Sequence, residues 1–237
     1  IMRILAFDTA LNACSVAITD DHDVLAHIHE KRRRGHAETL MPMIEGLMGG
    51  IGLAYRDIDL IAVTVGPGTF TGLRIGLAAA RGMSLAARKP LVGVTTLEAL
   101  AAAVPEEMTQ ERPVIATADA RRGEIYLQSF DVSGGDKIIS PLTPAKACKI
   151  ETALASAGVE KAVVVGSGGS LLQNQPGFDE ARYQILDLDE DPDARHVARI
   201  AVCRGMPPRN SAPPAPLYLR APDAKLPGGR TPVSLNR

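Results

Sequence analysis

The chain has 237 residues, with 26 basic and 27 acidic side chains and a formal net charge of −1. This balance excludes a global electrostatic field that would attract nucleic acid or an anionic membrane. Only 3% of the residues are aromatic and none is tryptophan, which argues against direct reading of single-stranded RNA by base stacking. The three scattered cysteines favour reduced thiols and a cytoplasmic location, and no signal peptide or membrane span is expected.

The N-terminal segment predicts a meander of three antiparallel strands, over residues 3–7, 14–19 and 24–29, because apolar and polar side chains alternate between polar turns. A helix over residues 36–49 follows, since apolar residues recur there at helical spacing. Its predicted apolar face consists of Leu40, Ile44, Leu47 and Met48.

The centre of the chain combines a buried strand, a glycine turn and a long helix. Residues 61–65 are small or β-branched and lead into Gly66-Pro67-Gly68, which suits a strand of a parallel sheet. The helix that follows ends near Arg88 and has a face of small residues with a methionine below it: Gly72, Gly76, Ala80 and Met83. Because each interior glycine costs roughly 1 kcal/mol relative to alanine, close packing is expected to compensate. Contact with another protein is the favoured prediction for this face, and packing inside the chain is the alternative.

Arg74 lies near the start of the same helix, where a cation opposes the helix dipole by ~0.3–1 kcal/mol. It is therefore a candidate phosphate contact, with a solvated surface arginine as the alternative. The glycine turn itself matches neither the P-loop nor the dinucleotide-binding fingerprint, so it does not predict a nucleotide site alone.

A strand over residues 91–94 and a helix with a capping box at its start complete a predicted first lobe, residues 2–104. Beyond a hinge, the opening pattern returns: a strand ends at Asp119, a second strand follows, and a later strand enters Gly166-Ser167-Gly168. This order indicates an internal duplication, with a second, smaller lobe over residues 113–190.

A last helix is predicted over residues 192–205, with Asp191 as its N-cap and Pro192 at its first position. We expect it to pack back on the first lobe. Residues 207–237 form a proline-rich C-terminal tail that is expected to be extended.

Two such lobes predict an α/β fold with two ribonuclease-H-like lobes, as in the actin-like ATPase and sugar-kinase superfamily. Proteins of that class bind nucleotide between the lobes through glycine-rich turns. Here the turn after Asp8 contains no glycine, and Arg121 and Arg122 follow Asp119. The nucleotide cleft is therefore predicted to be degenerate, with Asp8, Arg74, Arg121 and Arg122 as candidate phosphate or nucleotide contacts. No metal-ligand spacing is present, so neither a metal nor another cofactor is expected.

Several motifs together resemble the TsaB (YeaZ) family over nearly the whole chain. They are the opening Ile4-Leu5-Ala6-Phe7-Asp8-Thr9, the helix start His36-Ala37-Glu38-x-Leu40-x-Pro42, the central Gly66-Pro67-Gly68-Thr69-Phe70-Thr71-Gly72-Leu73-Arg74-Ile75-Gly76, Asp119-Ala120-Arg121-Arg122-Gly123-Glu124-Ile125-Tyr126 and Pro216-Leu217-Tyr218-Leu219-Arg220.

The resemblance implies a non-catalytic scaffold subunit in the synthesis of threonylcarbamoyladenosine in tRNA. It implies pairing with TsaD through the first two helices of the first lobe, support of the ATPase TsaE, and contact with tRNA only through the complex. A homodimer through the same helices is the alternative pairing. The implied partner-binding residues are Leu40, Ile44, Leu47, Met48, Gly72, Gly76, Ala80 and Met83.

Two other functions remain open from the residues. An actin-like enzyme that hydrolyses or transfers phosphate by itself is suggested by Asp8 and Asp119. A glycoprotease-type metallopeptidase is the least favoured, because the sequence has no zinc-ligand set.

Overall fold

The computed structural model describes residues 1–109, 112–133, 138–209 and 211–220, and the predicted tail beyond residue 220 lies outside them. The strands are β1 Arg3–Asp8, β2 Ala13–Asp20, β3 Asp23–Lys31, β4 Leu60–Gly66, β5 Leu91–Thr95, β6 Val114–Arg121, β7 Glu124–Ser133, β8 Ile138–Pro141, β9 Lys146–Lys149, β10 Ala162–Val165 and β11 Tyr183–Ile185. The α-helices are α1 His36–Gly50, α2 Phe70–Ala87, α3 Thr96–Ala102, α4 Glu106–Thr109, α5 Ile150–Ser156, α6 Gly169–Gln173 and α7 Ala194–Arg204.

The first sheet has the strand order β3-β2-β1-β4-β5. Strands β1, β2 and β3 form the predicted antiparallel meander, and β4 and β5 run parallel to β1. Both faces of β1 are buried: Leu5 and Phe7 lie on one side, and Ile4 and Ala6 on the other. This two-sided burial explains why β1 is a continuous apolar run rather than an alternating one.

Helices cover both faces of this sheet. On one face, α1 and α2 pack over Phe7, Val16 and Val63. On the other, α3 and α7 pack over Ile4 and Ala62, and α7 contacts β1 and β2. The last helix thus lies on the first sheet although it follows the second one in the chain.

The second sheet repeats the arrangement. Its order is β11-β10-β6-β7-β8, with β9 paired to β7, so a meander of β6, β7 and β8 is again followed by strands parallel to the first one. The predicted fold class, an α/β protein with two ribonuclease-H-like lobes, is confirmed. The division at residues 104 and 113 remains a prediction, although the two sheets lie within residues 3–95 and 114–185.

The sequence predicted the N-terminal cap correctly for α3 but not for α7. The capping box of α3 is present as predicted: the Thr95 hydroxyl accepts from the Glu98 amide at 3.1 Å, and Glu98 accepts from the Thr95 amide at 2.8 Å. The predicted cap of α7 is wrong, because Asp193 and not Asp191 accepts from the second amide of the helix, that of Arg195, at 2.8 Å.

Candidate functional site

The predicted partner face of α1 and α2 points into the first lobe. Of its eight residues, Leu47 is partly buried and the others are buried in the chain itself: Leu40, Ile44, Met48, Gly72, Gly76, Ala80 and Met83. Most of them belong to one cluster with Leu5, Phe7 and Val63 of the sheet. Within this chain these side chains cover the sheet and do not face solvent, and their binding of a partner stays a prediction.

The glycines of α2 allow the helix to lie against the turn between β1 and β2. A Cβ atom on Gly72 would overlap the carbonyl oxygen of Thr9, and one on Gly76 would lie 2.6 Å from the Thr9 hydroxyl oxygen. That hydroxyl donates a hydrogen bond to the Gly72 carbonyl at 2.8 Å. The close approach that the glycines predicted is thus present, but its partner is the chain's own turn.

The opposite face of the two helices is exposed, and on α2 it combines small residues with Arg74 and Arg81, which contact Tyr218 and Pro214. Ala78 and Gly82 of α2 are exposed, as are Pro42 and Gly46 of α1. No other atom lies within 4 Å of a Cβ placed on Gly82 or Gly46. Leu85, in the last turn of α2, is 82% exposed. If these helices meet a partner, this outer face is the part available to it.

Asp8, at the end of β1, is a buried carboxyl group. Its Oδ1 accepts hydrogen bonds from the Thr64 hydroxyl at 2.5 Å and from the Ala10 amide at 3.1 Å, whereas Oδ2 has no hydrogen-bond partner. Burial raises the pKa of Asp8 to about 7, and the two hydrogen bonds offset only part of that rise. A carboxylate so enclosed cannot reach a ligand in solvent without a rearrangement of the turn.

The turn after Asp8 fills the junction between the lobes. Ala10 and Leu11 are buried together with Leu73 of α2, Leu100 of α3 and Ala118 of β6. Residues of both lobes thus form one apolar cluster at this point.

The three arginines predicted as phosphate contacts lie outside this cluster. Arg74 stacks on Phe70, with its guanidinium carbon 3.6 Å from the ring centroid. Arg121 and Arg122 form the tip of the β6–β7 turn at φ angles of 66° and 57°, and Arg121 pairs with Asp119 at 3.0 Å. These three arginines are exposed, whereas Asp8 is buried.

Sequence reasoning missed a polar cluster between β3 and the start of α7. His27 and Arg195 bind the Asp193 carboxylate at 2.9 and 2.7 Å. Burial alone would raise the pKa of Asp193, but the hydrogen bonds from His27 and Arg195 lower it below its ordinary value. The one available signal was the alternation of His27 and His29 on β3, which placed both on one face.

Among the residues that the structure describes, no group of three or more His, Cys, Asp or Glu side chains could hold a metal ion. A pocket of about 210 Å³ lies between the β2–β3 turn and α7, and one of about 440 Å³ lies beside α5. In the same described parts of the chain, no helix combines the length and apolar character needed to cross a bilayer.

Comparisons with known proteins match a TsaD family model and several TsaB (YeaZ) proteins. The family model for TsaD, tRNA N6-adenosine threonylcarbamoyltransferase, matches residues 23–173. The TsaB protein of Escherichia coli, a tRNA threonylcarbamoyladenosine biosynthesis protein, is 43% identical over 129 residues, covering 54% of this chain and 55% of the relative. The chain thus spans about half the length of the curated TsaB relatives that it matches.

Two other matches extend over almost the whole chain. An uncharacterized protein of Mycobacterium tuberculosis is 32% identical over 228 residues, covering 95% of both chains. The solved structure of YeaZ from Pseudomonas aeruginosa aligns with a TM-score of 0.77 and 26% identity, covering 92% of this chain and all of that one. Since curated TsaB proteins are up to 43% identical over about half of the chain and the YeaZ structure aligns over its full length, this chain belongs to the TsaB (YeaZ) family.

Proposed function

We propose that this chain is a non-catalytic subunit in the synthesis of threonylcarbamoyladenosine in tRNA and that it pairs with a TsaD protein. The observation that carries the proposal is the combination of a closed lobe junction with exposed small residues on the α1–α2 outer face. The junction is packed with apolar side chains, whereas the outer face exposes Ala78, Gly82 and Leu85. The surface suited to a partner is therefore open, and the place where this fold holds a nucleotide is filled.

Burial of Asp8 supports the non-catalytic role. Catalytic carboxylates must reach the reacting group, but this one is bonded to Thr64 and lies beneath Ala10 and Leu11. An enzyme that acts on nucleotide by itself would need this turn to open, and no observation favours that. For the glycoprotease alternative, the described residues contain no set of metal ligands.

The proposed contact with TsaD uses the outer face of α1 and α2 rather than the inner face that the sequence indicated. Exposed small residues recur along both helices, at Pro42 and Gly46 of α1 and at Ala78 and Gly82 of α2. Small side chains let two helices of a partner approach closely, as in a four-helix bundle. In the absence of TsaD, a second copy of this chain would occupy the same face.

The remaining parts of the proposal follow from the family. TsaE acts on the pair formed with TsaD, in the cytoplasm, and tRNA is held by the complex rather than by this chain alone. The balanced charge of 26 basic and 27 acidic residues agrees with the absence of a dedicated tRNA surface.

Reconstitution tests this function. Purified chain should form no modified nucleoside from threonylcarbamoyl-adenylate and tRNA, because the chemistry is proposed to lie in the partner. Addition of TsaD and TsaE should give product, measured by mass spectrometry of the digested tRNA. Turnover by this chain alone, or full turnover by TsaD and TsaE without it, would contradict the proposal.

Gly82→Leu tests the partner face. The variant should fold, since no atom beyond the nearby backbone of α2 itself lies within 4 Å of a Cβ at position 82. A leucine on this face should hold the helices of TsaD apart and weaken pairing by roughly ten- to hundredfold, measured by titration calorimetry.

Ala155→Leu is the matched control, because Ala155 is an exposed small residue of helix α5 in the second lobe. It should leave the affinity for TsaD unchanged. If both variants and the parent chain bind TsaD with equal affinity, the α1–α2 outer face is not the contact.

A further inference from the structure

The proline-containing segment 211–220, here called the strap, contacts both lobes. Its first part lies along the first lobe: the Arg81 guanidinium donates to the Pro214 carbonyl at 2.6 Å, and the Leu217 amide donates to the Val65 carbonyl at 2.7 Å. The second of these bonds extends the hydrogen-bonding of β4 at its last residues. The strap is therefore attached as an ordered segment rather than lying loosely on the surface.

Two glycines lie next to the strap. A Cβ on Gly66 would lie 2.9 Å from the Leu217 carbonyl oxygen. A Cβ on Gly93 would lie 3.0 Å from Pro214 Cβ, but its nearest neighbour would be Val65 Cγ1 of β4, at 2.5 Å. Gly66 also has a φ of 110°, which disfavours other residues. The absence of a side chain at Gly66 thus leaves room for the strap at the end of β4.

Side chains fix the strap to the start of α2. The Tyr218 ring stacks on Phe70 with the centroids 5.7 Å apart, and Arg74 lies over the Phe70 ring while its Nε is 3.4 Å from the Tyr218 hydroxyl. Phe70 and Tyr218 are 52% and 44% exposed, so each covers part of an aromatic surface that would otherwise face water. This contact also accounts for a cation near the start of a helix, where the dipole disfavours it.

The far end of the strap is attached to the second lobe. The Arg220 guanidinium donates to the Ala120 carbonyl at 2.8 Å and lies 3.4 Å from the Glu124 carboxylate. Both residues belong to the β6–β7 hairpin, whose tip holds Arg121 and Arg122 at positive φ. Between Leu217 and Arg220 the chain thus passes from the end of β4 to the turn of the other sheet.

We propose that the strap is a clamp between the lobes: it holds the β6–β7 turn to the start of α2 and so limits rotation of one lobe on the other. The apolar cluster at the junction joins the lobes close to Ala10 and Leu11. The strap adds a second attachment, through Arg220. With one attachment, the lobes could rotate about it as a hinge. A second attachment at a separate place prevents that rotation.

Hydrogen exchange of the full chain, followed by mass spectrometry, tests the clamp. In the parent chain, the Leu217 amide should exchange on the order of tenfold more slowly than in a free peptide of the strap sequence, because its hydrogen bond must open first. Arg220→Ala should raise exchange of residues 119–124 severalfold while Leu217 stays protected. Tyr218→Ala should raise exchange at both places.

The control is Arg209→Ala, which changes an exposed arginine outside the strap and should leave both regions unaltered. Free-peptide exchange at Leu217 in the parent chain would overturn the proposal. So would unchanged exchange of residues 119–124 in Arg220→Ala. These readouts do not involve TsaD or tRNA, so they decide the clamp independently of the proposed function.

Discussion

Replacement of Gly72 by alanine should lower the free energy of unfolding by about 3 kcal/mol. The added methyl group would overlap the Thr9 carbonyl oxygen, a backbone atom that cannot rotate away. Thr9 is further fixed, because its hydroxyl donates to the Gly72 carbonyl at 2.8 Å. Relief of the overlap would require α2 to move off the β1–β2 turn. The loss should be measured by urea denaturation, with the slope checked for two-state behaviour.

Gly82→Ala, in the same helix, is the matched control, and it should raise the free energy of unfolding instead of lowering it. Gly82 is exposed and its Cβ would meet no atom within 4 Å, so alanine should stabilise the chain by about 0.5–1 kcal/mol through helix propensity. Similar effects at positions 72 and 82 would contradict the assignment of inner and outer faces to α2.

The free energy of unfolding of Asp8→Asn, relative to that of the parent, should rise by about 3–4 kcal/mol between pH 4 and pH 8. Burial raises the pKa of Asp8 from 3.8 to about 7, so ionisation of this group opposes folding. Asparagine keeps the shape and an oxygen that accepts from Thr64, but carries no charge. It therefore resembles the protonated acid, which the folded chain prefers.

The direction of the pH dependence follows from proton release. Between pH 4 and 7, the unfolded chain loses the Asp8 proton while the folded chain retains it, so the stability that this group contributes falls as pH rises. The difference between variant and parent, from denaturation curves at several pH values, should grow over this window and level off above it. Asp23→Asn, at an exposed position of β3, is the control and should show no such growth. A constant difference for Asp8→Asn would contradict the raised pKa.

The spacing of apolar residues was sufficient to predict a helix or strand where the spacing repeated within that element. The three strands of the first meander, the central strand, α1 and α2 all follow from the spacing of their apolar residues. The capping box of α3 needed only Thr95 and Glu98, three residues apart. Short strands escaped this reasoning. Strand β9 reads Lys-Ala-Cys-Lys, and its pairing with β7 rather than its composition makes it a strand.

The N-cap of α7 could not be predicted from the sequence, because its choice depends on a distant contact. Asp191 and Asp193 flank Pro192, and either could serve as the cap from sequence alone. The Asn12 amide, 179 positions away, donates to Asp191 at 2.8 Å, which leaves Asp193 for the helix. His27 then pairs with Asp193 across the same contact.

The sequence by itself determined two repeated lobes, the helix and strand periods of the first lobe, and the close approach of α2 to another segment. Only the tertiary structure decided which segment that is. Small residues lie on both sides of α2, with Gly72 and Gly76 on one and Ala78 and Gly82 on the other, and their spacing is helical in both cases. Periodicity gives the faces of a helix but not their orientation, because orientation depends on the sheet and turn that one face must cover. Here the face with Gly72 and Gly76 packs against the turn at Thr9, so the face with Ala78 and Gly82 is exposed.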